Sequence, residues 1–327
     1  MATPRLISCV LALATLTTLG ACSTGPASPT GGEPRVTGVA GGQGAAPAGT
    51  EAGARSPAAL TPEAYKSELE TRHKAMSGAI SSLAGARGVK ALDKRVGRAE
   101  EALSGAADAL SALAPPETVR AQHEAYVSSL RDFATALGAT AGKVGARDLC
   151  TSSAVFTDMD DKLTALDEAG QALQDAGDYP AYIVSVKAAG KKSRRLGNGS
   201  FLRKGTTLNG RGSLEIDNGG SRDAVVTAVR GGSKAFSVYV RRKATFKVKG
   251  VRDGSYKIYF THGSDWEGKT RAFTRDCSFE RFEKTVKFKT TFTATQIRWH
   301  DWRITLHAIT GGNARTKPVD PDDFPGG

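Results

Sequence analysis

In this 327-residue chain the side chains able to do chemistry are spread along the sequence rather than gathered into one motif. His262, Asp265, His300 and Asp301 offer the donors of a divalent-metal site, provided that strands bring them to one end of a sheet. Asp158, Asp160 and Asp161 have part of the carboxylate spacing of a calcium loop. They lack the glycine at the sixth position and fall within helical periodicity, so they read as a helix start, where carboxylates favour the helix dipole. His73 and His123 lie on the inner stripes of helices, as satisfied core or boundary histidines do. Among the tryptophans, Trp302 alternates with Ile304 and Leu306 as a core residue, which leaves Trp266 and Trp299 for an aromatic sugar-binding surface. The sequence contains no nucleophile elbow, phosphate loop, zinc-protease helix or dinucleotide fingerprint. The expectation is a protein that is not an enzyme and holds no metal or cofactor.

Charge is the stronger signal. Ala58 to Asp178 holds 13 Lys/Arg against 18 Asp/Glu, a net of −5, whereas Tyr179 to Gly327 holds 29 against 13, a net of +16. Tyr179 to Leu214 has no acidic residue and carries Lys187, Lys191, Lys192, Arg194, Arg195, Arg203, Lys204 and Arg211. A second group, Lys247, Lys249, Lys287 and Lys289, alternates with apolar Phe246, Val248, Val286 and Phe288. Strand geometry sends alternate residues to opposite faces, so these lysines should project outward together. Lys191, Lys192, Arg194, Arg195 and the four strand lysines are therefore the candidate ligand-binding residues. Their partner would be an anionic polymer, an anionic lipid or an acidic protein.

The elements that must carry these groups follow from hydrophobic period. Residues 58–178 show four amphipathic stripes, through Leu69 to Leu83, Val89 to Leu113, Val119 to Val144 and Phe156 to Leu173. Thr61-Pro62-Glu63 starts the first, Gly85 and Gly88 separate it from the second, and Pro115-Pro116 ends the second. Four such helices with short connections predict an antiparallel bundle. From Tyr179 the period changes to two, with turns at Asn218-Gly219, Gly231-Gly232 and Asp253-Gly254, which predicts an antiparallel β-sandwich. The fold class is thus multidomain α and β, helical bundle first. The expected order is a leader over 1–21, a Gly/Ala/Pro tether over 22–57 and a four-helix bundle over 58–178. A basic linker over 179–200, a β-sandwich over 201–316 and a flexible tail over 317–327 follow.

Two stretches resemble known families. Arg5 precedes an apolar run from Leu6 to Leu19 that is too short to span a bilayer, and Leu19-Gly20-Ala21-Cys22 resembles the lipobox of bacterial lipoproteins. That resemblance implies cleavage before Cys22, acylation of its thiol and residence on the extracytoplasmic face of the cell membrane. The stretch Thr245 to Ile258, with Asp253-Gly254-Ser255-Tyr256, resembles prealbumin-like and carboxypeptidase-regulatory-like sandwiches, which are non-catalytic. Gly263-Ser264-Asp265-Trp266, Arg275-Asp276-Cys277-Ser278-Phe279 and Asp320 to Phe324 are similar to uncharacterised actinobacterial envelope proteins.

With Cys9 in the leader and Cys22 acylated, Cys150 and Cys277 remain, either bonded to each other, buried as free thiols or paired between molecules. The resulting function is a tethered envelope binding or scaffold module. The competing reading is a purely structural lipoprotein whose basic strands are a solvated face. An enzyme assembled from scattered residues has no visible constellation, and an exported chain rarely meets nucleic acid. Cys22→Ala should leave unprocessed precursor, while the wild-type chain should begin at Cys22 and partition into detergent. Cleavage of the variant at the same place, with a water-soluble wild type, would overturn the assignment.

Overall fold

The computed structural model describes residues 58–183, 190–205, 207–307 and 314–326. The expected leader, Cys22 and the tether lie outside the described residues, as does Lys187. Helix α1 runs Pro62–Ala84, with the Ala64 amide donating to the capping hydroxyl of Thr61. Gly88, at φ 81°, makes the turn into α2, Val89–Ser111. Pro115, Pro116 and a single 3-10 turn lead to α3, Arg120–Gly145. Helix α2 lies between α1 and α3, and α3 also packs on α5. Leu69, Met76, Leu92, Leu103, Leu130, Phe133 and Leu166 share one buried core.

The fourth expected helix is two: α4, Ser152–Asp158, and α5, Asp160–Asp175, hinged at Met159. The break puts Asp160 and Asp161 in the first turn of α5, where the positive end of the helix dipole favours them. Asp158 closes α4 and pairs with Lys143 at 2.6 Å.

Twelve strands are described after the helices. They are β1 Phe201–Lys204, β2 Gly212–Asn218, β3 Asp223–Arg230, β4 Ser233–Val240, β5 Ala244–Val251 and β6 Gly254–Glu267. Then come β7 Ala272–Phe282, β8 Val286–Phe288, β9 Thr290–Phe292, β10 Ile297–Trp299, β11 Trp302–Thr305 and β12 Thr316–Pro318. The larger sheet has the order β1-β4-β3-β6-β7-β12, with β8 on the start of β6; the smaller is β11-β2-β5. Leu214, Ile216, Val248 and Ile304 of the smaller sheet share a core with Val226, Val238, Ile258 and Phe260 of the larger. One pairing departs from the antiparallel expectation: β11, which follows the β9–β10 hairpin, runs parallel to β2.

Strands β3 and β4 are buried on both faces for most of their length, not on one. The second face carries Val225, Tyr239, Trp266 and Phe273, with Leu196 and Leu202 packed on them. Nor is the C-terminal segment a free tail. Its β12 pairs with β7, the Val319 amide donates to the Phe279 carbonyl at 2.9 Å, and Phe324 meets Phe279 and Tyr259 edge-on. Aromatic burial there outweighs the chain entropy that the Pro- and Asp-rich composition suggested.

Helices and sheets lie within one compact unit, Arg55–Gly327. Residues 147–150 run along β7: the Cys150 amide donates to the Thr274 carbonyl at 2.8 Å and the Cys277 amide to the Arg147 carbonyl at 3.1 Å. There Cys150 and Cys277 are joined by a disulfide, 127 residues apart in sequence. Closing so long a loop removes much of the unfolded chain's freedom. Cys150→Ala with Cys277→Ala should therefore lower unfolding free energy by about 2–5 kcal/mol, read from denaturant midpoints, and thiol reduction should do the same to the wild type.

Candidate anion-binding cleft

Arg194 and Arg195, expected on an exposed linker, are held against the larger sheet by two buried carboxylates. A bulge in the β6–β7 pairing and a left-handed backbone at Asp265, φ 56°, bring that carboxylate to Arg194. It accepts from the Arg194 amide at 2.8 Å, from Nε at 2.9 Å, from Nη2 at 2.8 Å and from the Thr274 hydroxyl at 2.8 Å. Burial alone would raise the Asp265 carboxyl, but these four donors bring it down to about 2. Asp223 accepts from Arg195 Nε at 2.7 Å and Nη2 at 2.6 Å, from the Arg242 amide at 2.8 Å and from the Tyr239 hydroxyl. Here too burial raises the carboxyl and the donors outweigh it. The guanidinium groups are thus consumed by the fold. Lys191 and Lys192, just before them, are exposed.

The strand lysines are exposed as their alternation requires, but they are not one array. Lys247 and Lys249 lie on β5 of the smaller sheet, whereas Lys287 and Lys289 lie on and just beyond β8, which pairs with β6. Lys247 stands directly across from Glu215, which also faces Arg303 at 3.4 Å, and Arg303 reaches Asp217 at 3.0 Å. This face therefore carries mixed charge.

The four residues offered as metal donors do not converge. Asp265 belongs to the arginine clamp, and the Asp301 carboxylate accepts from the Ser213 amide at 2.7 Å. His300 meets the Lys289 carbonyl at 3.1 Å on the surface. His262 is buried beside Phe260, and burial, with Arg222 and His307 nearby, lowers it to about 4. Among the described residues no group of three or more His, Cys, Asp or Glu is placed to hold a metal ion. His123 is buried against the Tyr65 hydroxyl at 2.8 Å, and His73 meets the Tyr182 carbonyl at 2.8 Å. The tryptophans exchange roles: Trp266 is 4% exposed, while Trp302 is 39% exposed and Trp299 48%, so Trp266 and Trp299 form no common surface. Sheet register puts Ile304 and Leu306 in the core, but Trp302 sits at the mouth of β11, where its indole donates to the Lys287 carbonyl at 3.0 Å.

What the fold does assemble is a cleft of about 650 Å³ on the outer face of the larger sheet. Its floor comes from Val225 and Thr227 of β3, Ser237 of β4, Thr261 and Trp266 of β6 and Phe273 and Phe279 of β7. The Thr227 and Ser237 hydroxyls are 2.8 Å apart and satisfy each other beneath it. The α1–α2 turn forms one wall, β1 another, and the C-terminal Pro321, Phe324 and Pro325 a third. Every charged lining residue is a cation: Arg87, Arg203, Lys269 and Arg271. All four are exposed, and no ion pair involves them among the described residues. Lys234, beside Arg203 and Arg271, is lowered by burial and further by those two positive charges. Nearby Glu267 already accepts from Ser153 at 2.8 Å and Thr270 at 2.6 Å. The cleft combines apolar surface with charged lining residues that are all cations, the Asp322 carboxylate standing just outside beside Gly88 and Lys90, and this suits an anion carrying an apolar part.

Of these cations only Arg203 belonged to a basic stretch of sequence. Arg87 sits between two glycines in the otherwise acidic helical half, and Lys269 and Arg271 occupy a β-hairpin turn after Gly268. The turn pair was the one available signal. Comparison with protein-family models, curated proteins and solved structures finds no match for this chain.

His262 and Asp265 each contribute a stage to the acid profile. His262 is held neutral when folded and the unfolded chain takes up the proton first, so stability should fall as pH drops from about 6.5 to about 4. Asp265 then contributes: its folded value is depressed, so its stabilisation should be lost between about 3.8 and about 2. Thermal midpoints measured from pH 7 to pH 2 should show both stages, and His262→Phe should shrink the first, to which buried His123 also contributes, while leaving the second.

Proposed function

We propose that this chain is a membrane-tethered cell-envelope lipoprotein, acylated at Cys22, whose folded part is a non-catalytic binding module for an anionic ligand of the envelope. The observation that carries the reading is the cleft, where Arg87, Arg203, Lys269 and Arg271 surround an apolar floor without a lining carboxylate. Lining cations that make no ion pair remain available to a ligand, and exposed charges act over a Debye length of about 8 Å, so those around one cleft can attract it jointly. The partly exposed Leu202, Phe279 and Phe324 add apolar area that a bare polyanion would not use. An anionic lipid or a lipid-linked phosphate fits this better than a simple wall polymer, with an acidic partner protein as the further possibility. The lipobox and the composition of the tether support placement at the extracytoplasmic face of the cell membrane.

The cleft reading shifts the decisive cations away from the strand lysines. Calorimetric titration with dodecyl phosphate, below its micelle concentration, should show binding that weakens steeply with salt, while inorganic phosphate should bind far more weakly. Arg87→Gln, Arg203→Gln, Lys269→Gln and Arg271→Gln together should weaken it at least about tenfold. Lys247→Gln with Lys249→Gln should change it by less than about twofold, because Lys247 faces Glu215 on another surface. Equal binding by wild type and the cleft variant would leave the purely structural lipoprotein ahead.

A further inference from the structure

The β9–β10 hairpin stands out from the rest of the molecule. Every residue from Thr291 to His300 is exposed, yet the turn is well built: the Thr293 amide donates to the Gln296 carbonyl at 2.8 Å, and the Gln296 amide donates back to the Thr293 hydroxyl at 3.0 Å. Its base is fixed to the body. The Thr290 amide and hydroxyl donate to the Asp253 carboxylate at 2.8 and 2.9 Å, and the His300 ring contacts the Lys289 carbonyl.

On this rigid projection Phe292 and Ile297 are directly opposite one another, and Trp299, two residues beyond Ile297, shares their face. Phe292 is 67% exposed and Trp299 48%, so one side of the hairpin is an uncovered apolar surface. The surrounding sequence is purely cationic. From Lys284 to His300 there are Lys284, Lys287, Lys289 and Arg298 and no Asp or Glu. Glu283 precedes this stretch; of the carboxylates at the hairpin's base, Asp253 is engaged by Thr290 and Asp301 by the Ser213 amide.

We propose that this hairpin is a second membrane contact, inserting Phe292, Ile297 and Trp299 into the interfacial layer of a bilayer while its lysines and Arg298 meet anionic headgroups. Aromatic side chains beside cationic ones match the boundary between acyl chains and charged headgroups. A second copy of this chain is the poorer occupant, because a two-fold contact through this face would set the same cations against one another. The contact rests on the reading that the chain stands on a membrane surface, but it is independent of the cleft and of the acyl group.

The test uses the chain from residue 22 carrying Cys22→Ser, so that no acyl chain contributes. It should cosediment with vesicles of phosphatidylglycerol and phosphatidylcholine and far less with phosphatidylcholine alone. Brominated acyl chains should quench tryptophan emission, Trp266 being buried and therefore a constant background. Phe292→Ser with Trp299→Ser should lower partitioning at least about tenfold without moving the thermal midpoint, since both residues are exposed where they stand. Lys287→Gln with Lys289→Gln should lower it on anionic vesicles only. The Phe292/Trp299 variant should still bind dodecyl phosphate as the wild type does, because neither residue lines the cleft, so the two sites fail separately. Unchanged partitioning of the Phe292/Trp299 variant, or no quenching in the bound wild type, would overturn the proposal. So would a concentration-dependent dimer, seen by sedimentation, that the same variant abolishes.

Discussion

The buried carboxylate of Asp265 is the constraint around which the β half is organised. A carboxylate taken out of water is costly unless donors replace its hydration, and Asp265 obtains four, three of them from Arg194. Satisfying it draws residues 194–196 across the larger sheet, where the Arg194 carbonyl accepts from the Trp266 amide and Leu196 packs on Tyr239 and Trp266. Asp223 repeats the arrangement one residue later through Arg195. Together they cover a sheet face that would otherwise expose Tyr239, Trp266 and Phe273.

Net charge and available charge are different quantities here. Arg194, Arg195 and Arg303 all sit on carboxylates, and Lys247 looks across at Glu215. Their positive charge is offset within the fold and does little for a partner. Cations without an ion pair among the described residues stand around the cleft and around the exposed hairpin, as they do elsewhere on the surface. Both places also present apolar surface, which gives an amphiphilic anion or a lipid headgroup region something that a hydrated polymer lacks.

The disulfide and the backbone bonds beside it bear on the same assembly. Residues 147–150 lie along β7, so the helical half and the larger sheet are held at a shared edge, close to the floor residues Cys277 and Phe279. The C-terminal segment returns along the same strand and places Phe324 against Phe279. The walls of the cleft thus come from segments far apart in sequence.

By itself the sequence determined the helix-then-sheet order, most helix limits and the outward direction of Lys247, Lys249 and Lys287. Caps, glycine and proline breaks and hydrophobic period are local signals that act over a few residues. Tertiary structure alone decided which charges are spent and which are free. Asp265 and Arg194 are 71 residues apart, and nothing local marks them as partners rather than as a metal donor and a basic linker. Trp266 and Trp302 exchanged places for the same reason: alternation says that a side chain leaves one face of a strand, but not what covers that face. The cleft drew on a helix turn, five strands of one sheet, a hairpin turn and the C-terminal segment, whose meeting depends on long-range packing. Period and composition carry no record of that packing.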